Sequence, residues 1–184
     1  MGDQSLKMYP KNQNHTTMNN RLNFLVRKNK GKELMAEYQS ELRRLLKSSV
    51  FDLLSLEETD AISERVKQND LEKNERKILH IPFYEKEVLR SVLETIKKID
   101  SSKIFVSLGY TEFCGIASIR NIGQFNPDFS YEDEHSGLIV LYSEDLNNRL
   151  IIDFYDENDQ HFYDLEIGGS SWTIVEFSQS VQIN

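Results

Sequence analysis

The spacing of apolar residues changes near Asp100, and no other feature of the chain constrains its fold as tightly. From Arg21 to about Asp100 the spacing is helical. Leu34, Tyr38, Leu42, Leu45 and Leu46 recur at intervals of three and four, which places them on one stripe. Beyond Asp100 the period is two. Leu150, Ile152 and Phe154 alternate with Ile151, Asp153 and Tyr155, and Tyr163, Leu165 and Ile167 alternate with Phe162, Asp164 and Glu166. Two glycines precede residue 100 and six follow it, as the turns of a strand-rich region require. Helices first and strands afterwards predict an α+β fold, with the N-terminal helices packed on one face of a C-terminal antiparallel sheet.

Residues 1–20 are dominated by Asn, Gln, Thr and Lys and are read as a flexible polar tail. Residues 21–184 are read as one α+β domain, helical over 21–100 and an acidic antiparallel sheet over 101–184. Gly31 is read as a break between a short first helix and a longer second one. Ser55 and Glu58 form a capping box that opens a third helix, with Ile62 and Val66 inward. Residues 68–77 are polar and read as loop or helix end. Pro82 stands ahead of a fourth helix whose Val88, Leu89, Val92, Leu93, Ile96 and Ile99 share a face. Six strands are predicted over 103–108, 113–119, 137–142, 149–155, 161–167 and 171–177. The last four are joined by connections too short for crossovers, so they form a meander.

Charge is distributed as unevenly as period. Residues 1–100 carry 19 Lys+Arg against 16 Asp+Glu, a net of +3, whereas residues 101–184 carry 3 against 14, a net of −11. Lys103, Arg120 and Arg149 are the only cations of the second part. A field of this sign repels nucleic acid and anionic membrane and attracts a basic partner. Cys114, the single cysteine, permits no internal disulfide, and no apolar run approaches the length of a membrane span. A cytoplasmic protein is the expectation.

Catalytic signatures are missing. The chain has no G-x-S-x-G, no P-loop lysine motif and no G-x-G-x-x-G. Cys114, with His135, His161 and several acids downstream, holds the inventory of a Cys–His–acid site, but its acidic, strand-like setting disfavours a thiolate. Around Asp156 a calcium loop begins acceptably, then fails at Gln160, His161 and Ile167, where an Asp or Asn, a glycine and a bidentate glutamate are needed. The four histidines show no paired spacing suited to zinc. Neither metal nor cofactor is expected. The basic stretch 27–32 reads as a solvated turn.

The residues that remain for a function are acids and aromatics in or beside turns. Phe129, Tyr131, Glu132, Asp133 and Glu134 stand together between strands. Glu144 and Asp145 occupy one meander turn. Asp153 and Tyr155 lead into another, which holds Asp156, Glu157 and Asp159. The two turns are expected at opposite ends of the sheet. In the acidic stretch GLIVLYSEDLNNRLIIDFYDENDQHFYDLEI, in the run YEDEH and in the lack of a catalytic signature, the chain resembles the immunity proteins and antitoxins that bacteria keep beside their toxins. The resemblance is to a class and covers the strand half only. It implies a non-enzymatic inhibitor of a basic protein, such as a nuclease toxin domain, with the carboxylates pairing to lysines and arginines and the aromatics serving as anchors. A DNA mimic and a Cys–His hydrolase are the alternatives.

Overall fold

The structure is a computed structural model that describes residues 13–47, 50–69, 76–129 and 137–174, the side chains of 13–19 and 174 excepted. Helix α1 (Gln13–Leu45) is one continuous helix of 33 residues. It begins inside the segment read as a tail and passes straight through Gly31. Glycine is there for contact, not for a break. A Cβ at position 31 would lie 2.1 Å from the carbonyl oxygen of Phe113, in the short helix α4 (Thr111–Cys114). Arg27, one turn earlier, ties the same elements together. Its guanidinium donates to the Glu112 carbonyl and, at 2.8 and 3.0 Å, to both carboxylate oxygens of Asp60 in α2 (Leu56–Asn69).

The capping box opens α2 as expected. Glu58 Oε2 accepts from the Ser55 amide at 2.8 Å, and Ser55 Oγ accepts from the Glu58 amide. Helix α3 (Lys86–Ile99) buries Leu89, Val92, Leu93 and Ile96, while Ile99 stays exposed at its end.

The sheet has seven strands, all paired antiparallel, in the order β1-β4-β3-β5-β6-β7-β2. Their ranges are β1 (Asp52–Leu53), β2 (Arg76–Pro82), β3 (Ile104–Ser107), β4 (Ala117–Ile119), β5 (Leu138–Ser143), β6 (Asn148–Glu157) and β7 (Gln160–Gly169). Three expectations need correction. The first 100 residues are not all helical, because β1 and β2 come from them and form the two edges of the sheet. Residues 113–119 are not one strand: α4 ends at Cys114, and Gly115, at φ +94°, redirects the chain into β4. Residues 171–177 do not open as a strand. Trp172–Ile174 is a 3₁₀ turn, and residues 175–177 lie outside the described residues. The meander among the described residues is therefore β5-β6-β7.

One face of the sheet carries the main core. Tyr38, Leu42 and Leu45 of α1 and the buried side of α3 meet Ile104, Ile139, Leu141, Leu150, Ile152, Leu165 and Ile167. At one end this core becomes aromatic, with Phe129 set edge-on to Phe83, Phe125 and Phe154 at centroid separations of 5.6–6.1 Å. The expectation that helices occupy a single face needs amendment. Ile62 of α2, with partly buried Val66, packs against Ile116, Leu146, Phe105 and Tyr142 on the reverse side. That smaller cluster covers the β3-β4-β5 part of the second face. Among the described residues, no helix is long and apolar enough to cross a membrane.

Candidate functional site

The second face of β6, β7 and β2, beyond the reach of the α2 cluster, is where the acids and aromatics of the strands collect. Period two puts Arg149, Ile151, Asp153 and Tyr155 of β6 on this face, opposite the buried Leu150, Ile152 and Phe154. Register then sets their neighbours. Tyr155 pairs with Phe162, Asp153 with Asp164, Ile151 with Glu166 and Arg149 with Gly168. On the far side of β7, Ile78 stands beside Glu166 and His80 beside Asp164. On the far side of β6, Leu138 stands beside Asp153.

Electrostatics divides this face into two regions. Toward the β6 start, Arg149 donates to Glu166 at 2.6 Å and Arg76 lies 3.8 Å from the same carboxylate, so the acid there is compensated twice. Toward the β6–β7 hairpin the balance is negative. Asp153 faces Asp164 across the ladder, and partial burial together with the Asp164 charge holds its carboxyl above the usual aspartate range. His80 Nδ1 sits 2.7 Å from Asp164 Oδ1, while at the same end but on the opposite face His161 Nδ1 sits 2.6 Å from Asp156 Oδ1. Tyr155 and Phe162 stack nearly parallel, 5.7 Å between centroids and 16° between planes. Burial and the neighbouring Asp164 push the Tyr155 hydroxyl up to about 12, so it stays a neutral hydrogen-bonding group across the physiological range. The hairpin closes through Asn158 and Asp159, both at positive φ, as a two-residue turn on right-twisted strands demands.

Of the anticipated partner-binding residues, Asp153, Tyr155, Asp156, Glu157 and Asp159 are placed at this hairpin end. Asp153, Tyr155 and Glu157 are on the second face, Asp156 is on the opposite one and Asp159 is in the turn. Glu144 and Asp145 lie at the opposite end of the sheet, as anticipated. Glu144 faces Lys103 at 3.8 Å. Asp145 is occupied inside its own turn. Burial pushes its carboxyl up, but bonds from Ser143 and from the Asn147 amide and side chain outweigh that and hold it low. Phe129 is a correction. It is 3% exposed within the aromatic core, where it cannot present a ring to a partner without unpacking. Tyr131, Glu132, Asp133 and Glu134 lie outside the described residues. The residues on either side of them, Phe129 and Gly137, both belong to the hairpin end: Phe129 packs on Phe154, and the Phe154 amide donates to the Gly137 carbonyl at 2.8 Å.

Contributors to this face that were not among the anticipated partner-binding residues include His80, Phe162, Asp164 and Ile78. Phe162 and Asp164 carry a signal, since they alternate with buried Tyr163 and Leu165. His80 and Ile78 belong to β2, whose alternation Ile78-Leu79-His80-Ile81 is short and sits between polar residues and a proline.

Cys114 lies elsewhere, between α1 and α4. Its Sγ is 3.7 Å from the Gly31 carbonyl, and burial pushes the thiol up. Among the described residues, no group of three or more His, Cys, Asp or Glu is arranged to hold a metal ion. Comparison with protein-family models, with curated proteins and with solved structures finds no match to this chain.

Proposed function

We propose that the chain is a non-enzymatic inhibitor that binds a basic protein partner at the β6–β7 hairpin end of the second sheet face, in the manner of an immunity protein or antitoxin facing a toxin domain. The observation that carries this reading is the juxtaposition at that end. Asp153 and Glu157 flank Tyr155 along the same face of β6, beside the stacked Tyr155–Phe162 pair. Asp159 stands in the adjoining turn and Asp156 at the same end on the opposite face, and of the nearby cations Arg149 and Arg76 are already engaged by Glu166. Acids supply attraction and orientation, while a flat aromatic shelf supplies area that a guanidinium or an apolar side chain can cover. Interleaving of acids with aromatics and histidines suits a protein surface better than a ladder of phosphate substitutes does, and so favours a dedicated partner over general DNA mimicry. The Cys–His alternative draws no support from Cys114, whose polar contact is a carbonyl.

The test is capture from a lysate of the source organism on immobilised protein, eluted with a salt gradient. The reference bait is D153N/D156N/E157Q/D159N. A basic protein retained by the natural chain, released only at high salt and lost on the variant supports the reading. Equal retention on both baits, or a set of unrelated nucleic-acid-binding proteins, contradicts it.

A further inference from the structure

A second surface lies away from the acidic hairpin. A groove of about 480 Å³ runs between α1, the start of α2 and α4. Phe24 and Met35 of α1, Leu56 of α2 and Phe113 of α4 give it apolar walls, and Lys28 and Lys32 stand on its rim. The walls are held in place before any ligand arrives. Arg27 binds both α2 and α4, and Gly31 lets α1 approach α4 to backbone contact.

The lysines are the informative part. Arg27 and Lys30 are each neutralised, by Asp60 and by Glu33. Lys28 and Lys32 have no ion pair among the described residues, although they are one turn apart on the same side of α1, where like charges repel. Glu57 is the single carboxylate among the lining residues, so the rim is net positive. An apolar slot within the size range of small-molecule sites, capped by two unpaired cations, matches a ligand with an apolar body and an anionic head.

We infer that this groove binds a small anionic amphiphile, a medium-chain carboxylate, with its chain along Phe24, Met35, Leu56 and Phe113 and its head between Lys28 and Lys32. The site is independent of the partner surface on the sheet.

The experiment is an NMR titration of the full chain with octanoate, decanoate and decanol, each below its aggregation concentration. Decanoate is expected to give saturable shifts centred on the amides of Gly31, Phe113 and Cys114 and the methyl of Met35. It should bind about tenfold tighter than octanoate or more, because each buried methylene is worth roughly a fourfold gain. K28Q/K32Q should weaken decanoate about tenfold and leave decanol unchanged. The double variant should melt no lower than the natural chain, since it removes a like-charge pair. Non-saturable shifts, or shifts centred on the exposed Leu22, Leu25 and Val26, would overturn the proposal. So would undiminished decanoate affinity in K28Q/K32Q, or shifts at the groove that follow protein concentration without ligand and thus report a second copy.

Discussion

Replacing Gly31 by alanine sets two effects against each other. In an exposed helix interior the change stabilises by about 1 kcal/mol, because glycine gives up more backbone freedom. At position 31 the new methyl would meet the Phe113 carbonyl at 2.1 Å, and α1 would have to part from α4. Overpacking of this kind costs about 1–3 kcal/mol, so the variant is expected to be less stable, with a lower denaturant midpoint. Cys114 is governed by the same contact. With its side chain buried and its thiol raised by that burial, it should react slowly with iodoacetamide near neutral pH and quickly once the chain is denatured. Rapid labelling of the native protein would reopen cysteine chemistry. Asp153 offers a pH test. Its carboxyl is raised in the folded state, so the folded chain holds that proton more tightly than the unfolded chain. The resulting penalty is absent below the unfolded value, grows as pH rises toward the folded value and is complete above it. Asp153→Asn should therefore add about 0.5 kcal/mol near pH 7, as a solvent-screened cross-strand repulsion allows, and nothing near pH 3. Thermal melts at the two pH values decide it.

Among the elements, the turn after β7 depends on one buried side chain. Asn148 Oδ1 accepts from the amides of Ser171 and Trp172 at 2.8 and 3.1 Å, and the Trp172 indole donates to Asp100 at 3.0 Å. Asn148→Ala would leave two amides unpaired where water has little access, and should cost about 2–3 kcal/mol in chemical unfolding. The same turn explains why 171–177 reads as a strand in sequence. Trp172, Thr173 and Ile174 have strand-like composition, but Gly169, at φ +119°, turns the chain before they can pair, and Trp172 becomes core. β2 fails to announce itself for a different reason. It is an edge strand with Ile78 half exposed and Pro82 at its end, so its alternation lacks the apolar contrast of β6 and β7. β5, β6 and β7 are legible because one of their faces is dry. The candidate site was half legible on the same terms: Asp153 and Tyr155 come from a strongly alternating strand, whereas His80 reaches them only through a long-range pairing that no local pattern encodes. Phe129 misled because an aromatic beside acids can equally be the residue that anchors the segment to the core.

For the whole molecule, the consequence is a charge separation built into the topology. Residues 1–50 carry 10 Lys+Arg against 4 Asp+Glu, a net of +6, and residues 101–184 a net of −11. Among the described residues of the second face, the strand acids that escape compensation by Arg149 and Arg76 lie toward the β6–β7 hairpin. A partner drawn to that end should associate fast at low salt and slowly at high salt, because steering between unlike surfaces is screened within about 8–10 Å at physiological ionic strength. The apolar contribution of Tyr155 and Phe162 should appear in the dissociation rate instead. The most direct measurement is the association rate of the captured partner, by stopped flow, across a range of ionic strength, for the natural chain and for D153N/D156N/E157Q/D159N. The account predicts a rate that falls by about tenfold or more from low to high salt in the natural chain and a nearly flat profile in the variant. Equal slopes for the two proteins would contradict it.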